Sequence, residues 1–194
     1  MNHLKLQKKN FIKIPKTINV IYCKKRNIIL FKGFLKTKSL KIKNKIVFIP
    51  SKNLIGVSHF YIKNNFSNID LKQAKIMQGT LIAKIKDILI EIDYNLYRKL
   101  NFIGVGYRAF PVDDLNNQFY FKLGYSHLIY FKIPKPMNAF CIKYTKLFIF
   151  GNVSTENITQ TISLIRQCKK PEPYKGKGIL YEGEKIKLKK GKKI

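Results

Sequence analysis

The sequence contains no tryptophan, only three cysteines and three histidines, and no aspartate or glutamate in its first 69 residues. Cys23, Cys141 and Cys168 lie far apart without a CxxC, and His3, His59 and His127 are equally scattered. Zinc sites and redox dithiols need such ligands at short, regular spacings, so neither they nor a disulfide framework is indicated. The thiols are expected to be free, buried or half-buried, in a reducing compartment. No apolar run reaches the roughly 18 residues of a membrane-spanning helix. Stretches such as 46–49 and 147–150 have the length of strands. The first ten residues lack the apolar centre of a secretory signal and the Arg/Ser bias of an organelle import peptide, so no import is expected.

Lysine is what the chain has in excess. Its 39 Lys+Arg against 10 Asp+Glu give a charge of +29, and such a chain repels itself unless a polyanion neutralises it. Residues 1–69 carry 16 basic and no acidic side chains, residues 70–168 carry 13 against 7, and residues 169–194 carry 10 against 3. Both ends are strongly cationic around a milder middle. Attachment to a membrane surface would need a basic amphipathic helix, and the best helical pattern has too few basic positions for a cationic stripe. A nucleic acid is the polyanion that fits, and no membrane insertion is expected. A hydrophobic fraction of 45% is enough to build a core.

The chain reads as a duplicated unit. Residues 14–33 begin Ile-Pro-Lys, place Asn19 sixth, carry Cys23, turn on basic residues and run through a second apolar stretch to Gly33. Residues 133–151 do the same with Asn138, Cys141 and Gly151. A helix is expected to close each half. In the first, Ala74, Met77, Leu81, Ile85, Ile88 and Ile92 recur three or four apart, with Ser67 and Asp70 placed to cap it. In the second, Ile158, Ile162 and Ile165 form a shorter stripe after Ser154 or Thr155, closed by Lys169, Lys170 and Pro171. Between the helices the period drops to two. Phe119, Phe121 and Leu123, then Ile129, Phe131 and Ile133, alternate with polar neighbours, and residues 113–117 supply the turn joining two strands of a hairpin.

The expected fold class is therefore α+β: two duplicated units, each a small, mostly antiparallel sheet with one packed helix, plus a basic C-terminal tail. The boundaries are residues 1–10 for a basic N-terminal extension, 11–93 and 94–171 for the two units, and 172–194 for the tail. The tail has four glycines and ten charged positions beyond Glu172, and is expected to be without order of its own until it meets an anionic partner.

Three apparent catalytic motifs do not hold. Gly104-Val-Gly106-Tyr-Arg-Ala109 fits a dinucleotide fingerprint, but Phe110-Pro111-Val112 follows where a helix must start. Ser126 and His127, beside Asp113 and Asp114, suggest a hydrolase, but as adjacent strand residues they point to opposite faces and cannot share a hydrogen bond across one site. Glu91 and Asp93, at a helix end, read as solvated surface charges. No enzyme activity, cofactor or metal is expected.

The informative site is Tyr174-Lys175-Gly176-Lys177-Gly178, which interleaves a ring, two ammonium groups and two positions without side chains, as suits close approach to phosphates and stacking on a base or ribose. The longer string from Pro171 to Glu184, PEPYKGKGILYEGE, closely resembles the signature of the universal large-subunit ribosomal protein six, the L-six family. LNFIGVGYRA at 100–109, followed by LGYSH at 123–127, resembles that family's central strands. Leu180 departs from the arginine the family pattern usually has, and the segment 41–70 matches poorly.

The resemblance implies a two-domain structural component of the large ribosomal subunit. It would lie on large-subunit rRNA near the sarcin-ricin loop, where translation factors dock, beside neighbouring ribosomal proteins. It also implies that the C-terminal unit and tail make the main RNA contacts. By position these are Lys169, Lys170, Tyr174, Lys175, Gly176, Lys177 and Gly178, then Lys187, Lys189 and Lys190. A free RNA-binding module or RNA chaperone is the alternative that the charge and aromatic content allow. Heavy use of Lys, Asn, Ile, Phe and Tyr, with four arginines, is what AT-rich codons give. The expected location is a mitochondrial ribosome, with a plastid or an AT-rich bacterial cytoplasm as alternatives.

Overall fold

Alternating apolar and polar residues fold about a third of the chain into short strands. A computed structural model of the protein describes residues 10–34, 36–42, 44–61, 68–112 and 117–191. The chain divides into two compact units, Met1–Tyr94 and Asn95–Ile194. Both are α+β, with small antiparallel sheets and one packed helix each. No helix of the described residues is long and apolar enough to cross a membrane.

The first unit has strands β1 (Phe11–Lys13), β2 (Asn19–Cys23), β3 (Ile28–Lys32), β4 (Thr37–Lys41), β5 (Asn44–Ile49) and β6 (Leu54–Tyr61), then helix α1 (Asn68–Asp93). The strands form two three-stranded sheets, β2-β3-β4 and β1-β6-β5. Ile29 and Phe31 of β3, Ile55 and Val57 of β6, and Leu81, Ile85, Leu89 and Ile92 of α1 share one core. The buried side of α1 runs through Ala74, Gln78, Leu81, Ile85, Leu89 and Ile92, while Met77, expected on that stripe, is exposed. Gln78 is tolerated inside because its Nε2 donates to the Val57 carbonyl at 2.6 Å. The expected caps Ser67 and Asp70 lie outside the described residues or side chains.

Glu91 corrects the reading of it as a solvated surface charge. It is 3% exposed and paired with Lys38. The last turns of α1 lie against β3 and β4, where Lys38 sits at a half-buried position of β4. A carboxylate taken out of water needs such a partner. Asp93, two residues on, accepts a hydrogen bond from Thr17 at 3.0 Å.

The second unit has β7 (Leu96–Ile103), β8 (Arg108–Pro111), β9 (Gln118–Lys122), β10 (Ile129–Lys132), β11 (Met137–Ile142), β12 (Lys146–Gly151), α2 (Thr155–Cys168) and β13 (Gly178–Tyr181). Its sheets are β8-β9-β10 and β11-β12-β7-β13. Ser154 is the N-cap of α2, accepting from Asn157 N–H at 3.4 Å, and Ile158, Ile162 and Ile165 are buried as the stripe requires. Residues 113–116 of the expected turn lie outside the described residues. The strands on either side of it, β8 and β9, do pair as a hairpin, with Arg108 opposite Lys122.

The topologies confirm the duplication but correct its alignment. In chain order β1 to β6 and α1 correspond to β7 to β12 and α2: β2-β3-β4 matches β8-β9-β10, and β5-β6-β1 matches β11-β12-β7. Residues 14–33 therefore supply the hairpin equivalent to β8-β9, not the one at 133–151, whose true counterpart is β5-β6 in the poorly matching segment. The likeness of the two segments is local, and only the partner strands show which hairpin is which.

β13 has no counterpart among the described residues of the first unit and corrects the expectation that the chain after Pro171 lacks order of its own. It pairs antiparallel with β7, Gly178 opposite Ile103 and Tyr181 opposite Leu100, and Ile179 and Leu180 are buried. Two apolar residues between charge-rich flanks are too few for a composition signal. The strand exists because β7 offers an open edge.

The cysteines are free. Cys141 and Cys168 are half-buried, whereas Cys23, against expectation, is exposed at the end of β2. Burial pushes the Cys141 thiol up to about 11, so it is scarcely ionised at neutral pH.

Candidate nucleic-acid interface

The basic segment begins at the C-terminal end of α2, where the helix dipole favours cations. Lys169 is the C-cap. Its ammonium lies 4.0 Å from the ring centroid of Tyr125, whose hydroxyl donates to the Cys168 carbonyl at 3.2 Å. The His127 ring stacks on Tyr125 at 5.6 Å. Residues 124–127 form a bend between β9 and β10 rather than a strand, so the face-alternation argument about Ser126 and His127 does not apply. What occupies His127 is the stack on Tyr125.

Beyond Lys170, residues 172–177 close into a loop. Glu172 N–H donates to the Lys177 carbonyl and Gly176 N–H donates to the Glu172 carbonyl, both at 2.9 Å. Gly176 turns the chain at φ 69°, and Gly178 leaves it at φ 153°. These are conformations a side chain disfavours. A Cβ on Gly178 would also lie 2.6 Å from Pro171 Cα and 2.9 Å from the Lys170 carbonyl oxygen. Gly178 is buried, and its role visible here is to let β13 pass under Pro171. Gly178→Ala is expected to cost about 2–4 kcal/mol from strain and overpacking, read as a lowered urea midpoint of the second unit.

The chain then returns to the loop. Lys189 N–H donates to the Pro173 carbonyl at 2.9 Å, and the Leu188 side chain lies within 3.3 Å of where a Gly176 Cβ would stand. Segments about fifteen residues apart are thus side by side, and Lys175, Lys187, Lys189 and Lys190 are exposed along with Lys170 and Tyr174. Lys169, Gly176 and Lys177 are half-buried. The sequence marked each of these positions but gave no sign that 187–190 fold back on 173–176.

The return depends on a turn that was not foreseen. Arg166 pairs with Glu184 at 2.6 Å and lies 4.9 Å over the Tyr181 ring, while Tyr181 N–H donates to the other Glu184 oxygen at 3.0 Å. Lys99 and Glu182 pair at 2.8 Å. Burial alone would raise the Glu184 pKa. The hydrogen bonds from Tyr181 and Arg166 and the guanidinium charge overcome it, and the net shift is downward. A lowered folded-state pKa gives stability that is present above the ordinary carboxylate value and lost as pH falls through the folded one. Between pH 6 and pH 3 the parent is therefore expected to lose more stability than Glu184→Gln, as measured by urea unfolding at each pH.

A strand, β8, follows Gly104-Val-Gly106 where a dinucleotide site needs a helix. Among the described residues no group of three or more His, Cys, Asp or Glu could hold a metal ion.

The profile of the family described as Ribosomal protein L6 matches residues 103–182, a span that takes in the loop and β13. Large ribosomal subunit protein uL6 of Mycoplasmoides gallisepticum is 34% identical over 181 residues, 93% of this chain and 92% of the relative. The chain belongs to the ribosomal protein L6 family. It is also similar to large ribosomal subunit protein uL6m of Reclinomonas americana, 32% identical over 185 residues, 94% of this chain and 95% of the relative. The uL6 protein of Mycoplasma pneumoniae is 43% identical over 125 residues, 64% of this chain and 66% of that relative. L6 is a family of ribosomal proteins and not of enzymes.

Proposed function

We propose that this protein is a structural constituent of the large ribosomal subunit that binds large-subunit rRNA through the basic loop and the returning C-terminal segment. The observation that carries this reading is the fold-back. The backbone bond from Lys189 to Pro173 gathers exposed lysines from 170–175 and 187–190 on one body, and Tyr174, 53% exposed, stands among them. Ammonium groups so placed neutralise phosphates and release counterions, and a ring among them stacks on a base or ribose. Lys170, Tyr174, Lys175, Lys187, Lys189 and Lys190 touch RNA. Lys169, Gly176, Lys177 and Gly178 hold the loop that presents them.

The resemblance to the L6 family supports a site near the sarcin-ricin loop, with translation factors and other large-subunit proteins nearby. The AT-rich residue usage and the likeness to a uL6m protein favour a mitochondrial ribosome. Sedimentation of the native lysate through a sucrose gradient at high magnesium tests the assignment. Co-migration with the large subunit at one copy per particle is the expected result. A peak among free proteins or dispersed RNA complexes would instead favour a free RNA-binding module.

A further inference from the structure

We infer that the outer face of the β11-β12-β7 sheet is a second RNA-binding surface, a stacking platform for single-stranded nucleotides, separate from the basic loop. The inner face of this sheet is closed. Leu100, Phe102, Leu147 and Ile149 pack with Ile158, Ile162 and Ile165 of α2 in one core. The outer face carries rings in two adjacent rows. Phe140 pairs across to Phe148 and on to Lys99; Asn138 pairs to Phe150 and on to Tyr97. Tyr97 is 63%, Phe140 46% and Phe150 36% exposed. Phe140 stacks on Phe148 with centroids 5.0 Å apart and planes 2° from parallel, and meets Phe150 edge-on at 5.7 Å. Lys99 lies 5.4 Å from the Phe148 centroid.

A sheet interior needs one apolar face, and this sheet has two. Rings left in water across three neighbouring strands mark a surface that is covered in use. Charge decides what covers it. On this face the strands place Lys99 and Lys146 and no aspartate or glutamate, while Arg98 stands opposite Ile149 in the row of the inner face. The carboxylate at the border, Glu182, is held by Lys99. Aromatic rings beside the exposed Lys146 suit a polyanion with flat apolar parts, and an unpaired RNA strand is such a molecule, its bases stacking on the rings while the lysine meets a phosphate. A duplex hides its bases and gains nothing from the rings. This inference shares with the proposed function only the premise that the protein meets RNA.

The test uses the full chain and two probes, a short oligoadenylate and a perfectly paired RNA hairpin. Phe140→Ala with Phe150→Ala is expected to weaken oligoadenylate binding at least about tenfold and to leave hairpin binding unchanged. Phe140→Tyr with Phe150→Tyr, which keeps both rings, should bind oligoadenylate like the parent. Equal oligoadenylate affinity in the alanine variant and the parent would overturn the proposal and assign the face to a protein partner; so would a tyrosine variant as weak as the alanine one. Replacing Lys175, Lys187 and Lys189 with Gln separates the two readings. It should weaken hairpin binding while the difference between ring and alanine variants on oligoadenylate persists, and loss of that difference would merge the platform with the loop and overturn it.

Discussion

Removal of residues 172–194 abolishes the cooperative unfolding of the second unit or lowers its melting temperature by at least about 12 °C, whereas removal of residues 185–194 leaves the transition nearly in place. This is the expected result of a differential scanning experiment on the two truncations, and it reverses what the tail's composition suggests. The longer deletion removes β13, whose Ile179 and Leu180 are buried at 0% and 5% exposure. Burying two such side chains is worth about 1.5–3 kcal/mol each, so about 3–6 kcal/mol is lost. Domains of this kind have only about 5–15 kcal/mol in all, and each kcal/mol moves the midpoint by roughly 4–8 °C. The deletion also uncovers the edge of β7 from Leu100 to Ile103, and an exposed strand edge invites aggregation. Unchanged melting after the longer truncation would show that β13 contributes no stability.

Neutralising Lys175, Lys187, Lys189 and Lys190 together as Gln should lower affinity for a paired RNA hairpin on the order of a hundredfold or more at 0.1 M salt. The slope of log K against log salt should become shallower by about three to four, since each phosphate contact contributes roughly 0.9. All four side chains are exposed, so stability should not change. Two segments far apart in sequence act together because Lys189 is bonded to Pro173. Substituting Lys175 alone is therefore expected to give about a quarter of that change in slope, and substituting Lys187, Lys189 and Lys190 about three quarters. A quadruple variant with the parent's slope would mean that the phosphates are met elsewhere, for instance on the strongly cationic first unit.

Much of this protein is legible in its residues. The isoleucine stripe and serine cap of α2 and the alternation of Phe119 and Phe121 are local patterns, and local patterns are set by backbone geometry that the sequence states directly. Harder to read were features that depend on what a segment packs against. Met77 has the right spacing for the stripe of α1 but lies outside, because Gln78 has a carbonyl partner and faces inward. Glu91 looks like any surface acid until Lys38, 53 residues away, is seen beside it. The hairpins at 14–33 and 133–151 resemble each other, and only strand pairing shows that they occupy different places in their units.

The candidate interface divides in the same way. Tyr174, Lys175 and the glycines around them were evident as a motif, because rings, ammonium groups and missing side chains declare their chemistry residue by residue. That Gly178 is closed in by Pro171, that Arg166 and Glu184 fasten the turn, and that Lys189 returns to the loop were not. The aromatic face of β11, β12 and β7 was equally hidden, since its rings are scattered along fifty-odd residues and become neighbours only through the register of three strands. Composition alone determined that the protein carries more positive charge than it can hold without a polyanion, and local periodicity alone determined its helices and strands such as β9 and β10. Which charges stand together, which rings are left in water and which strand completes the sheet were decided by tertiary structure. Those properties depend on contacts between residues distant in sequence, and such contacts exist only once the chain has closed on itself.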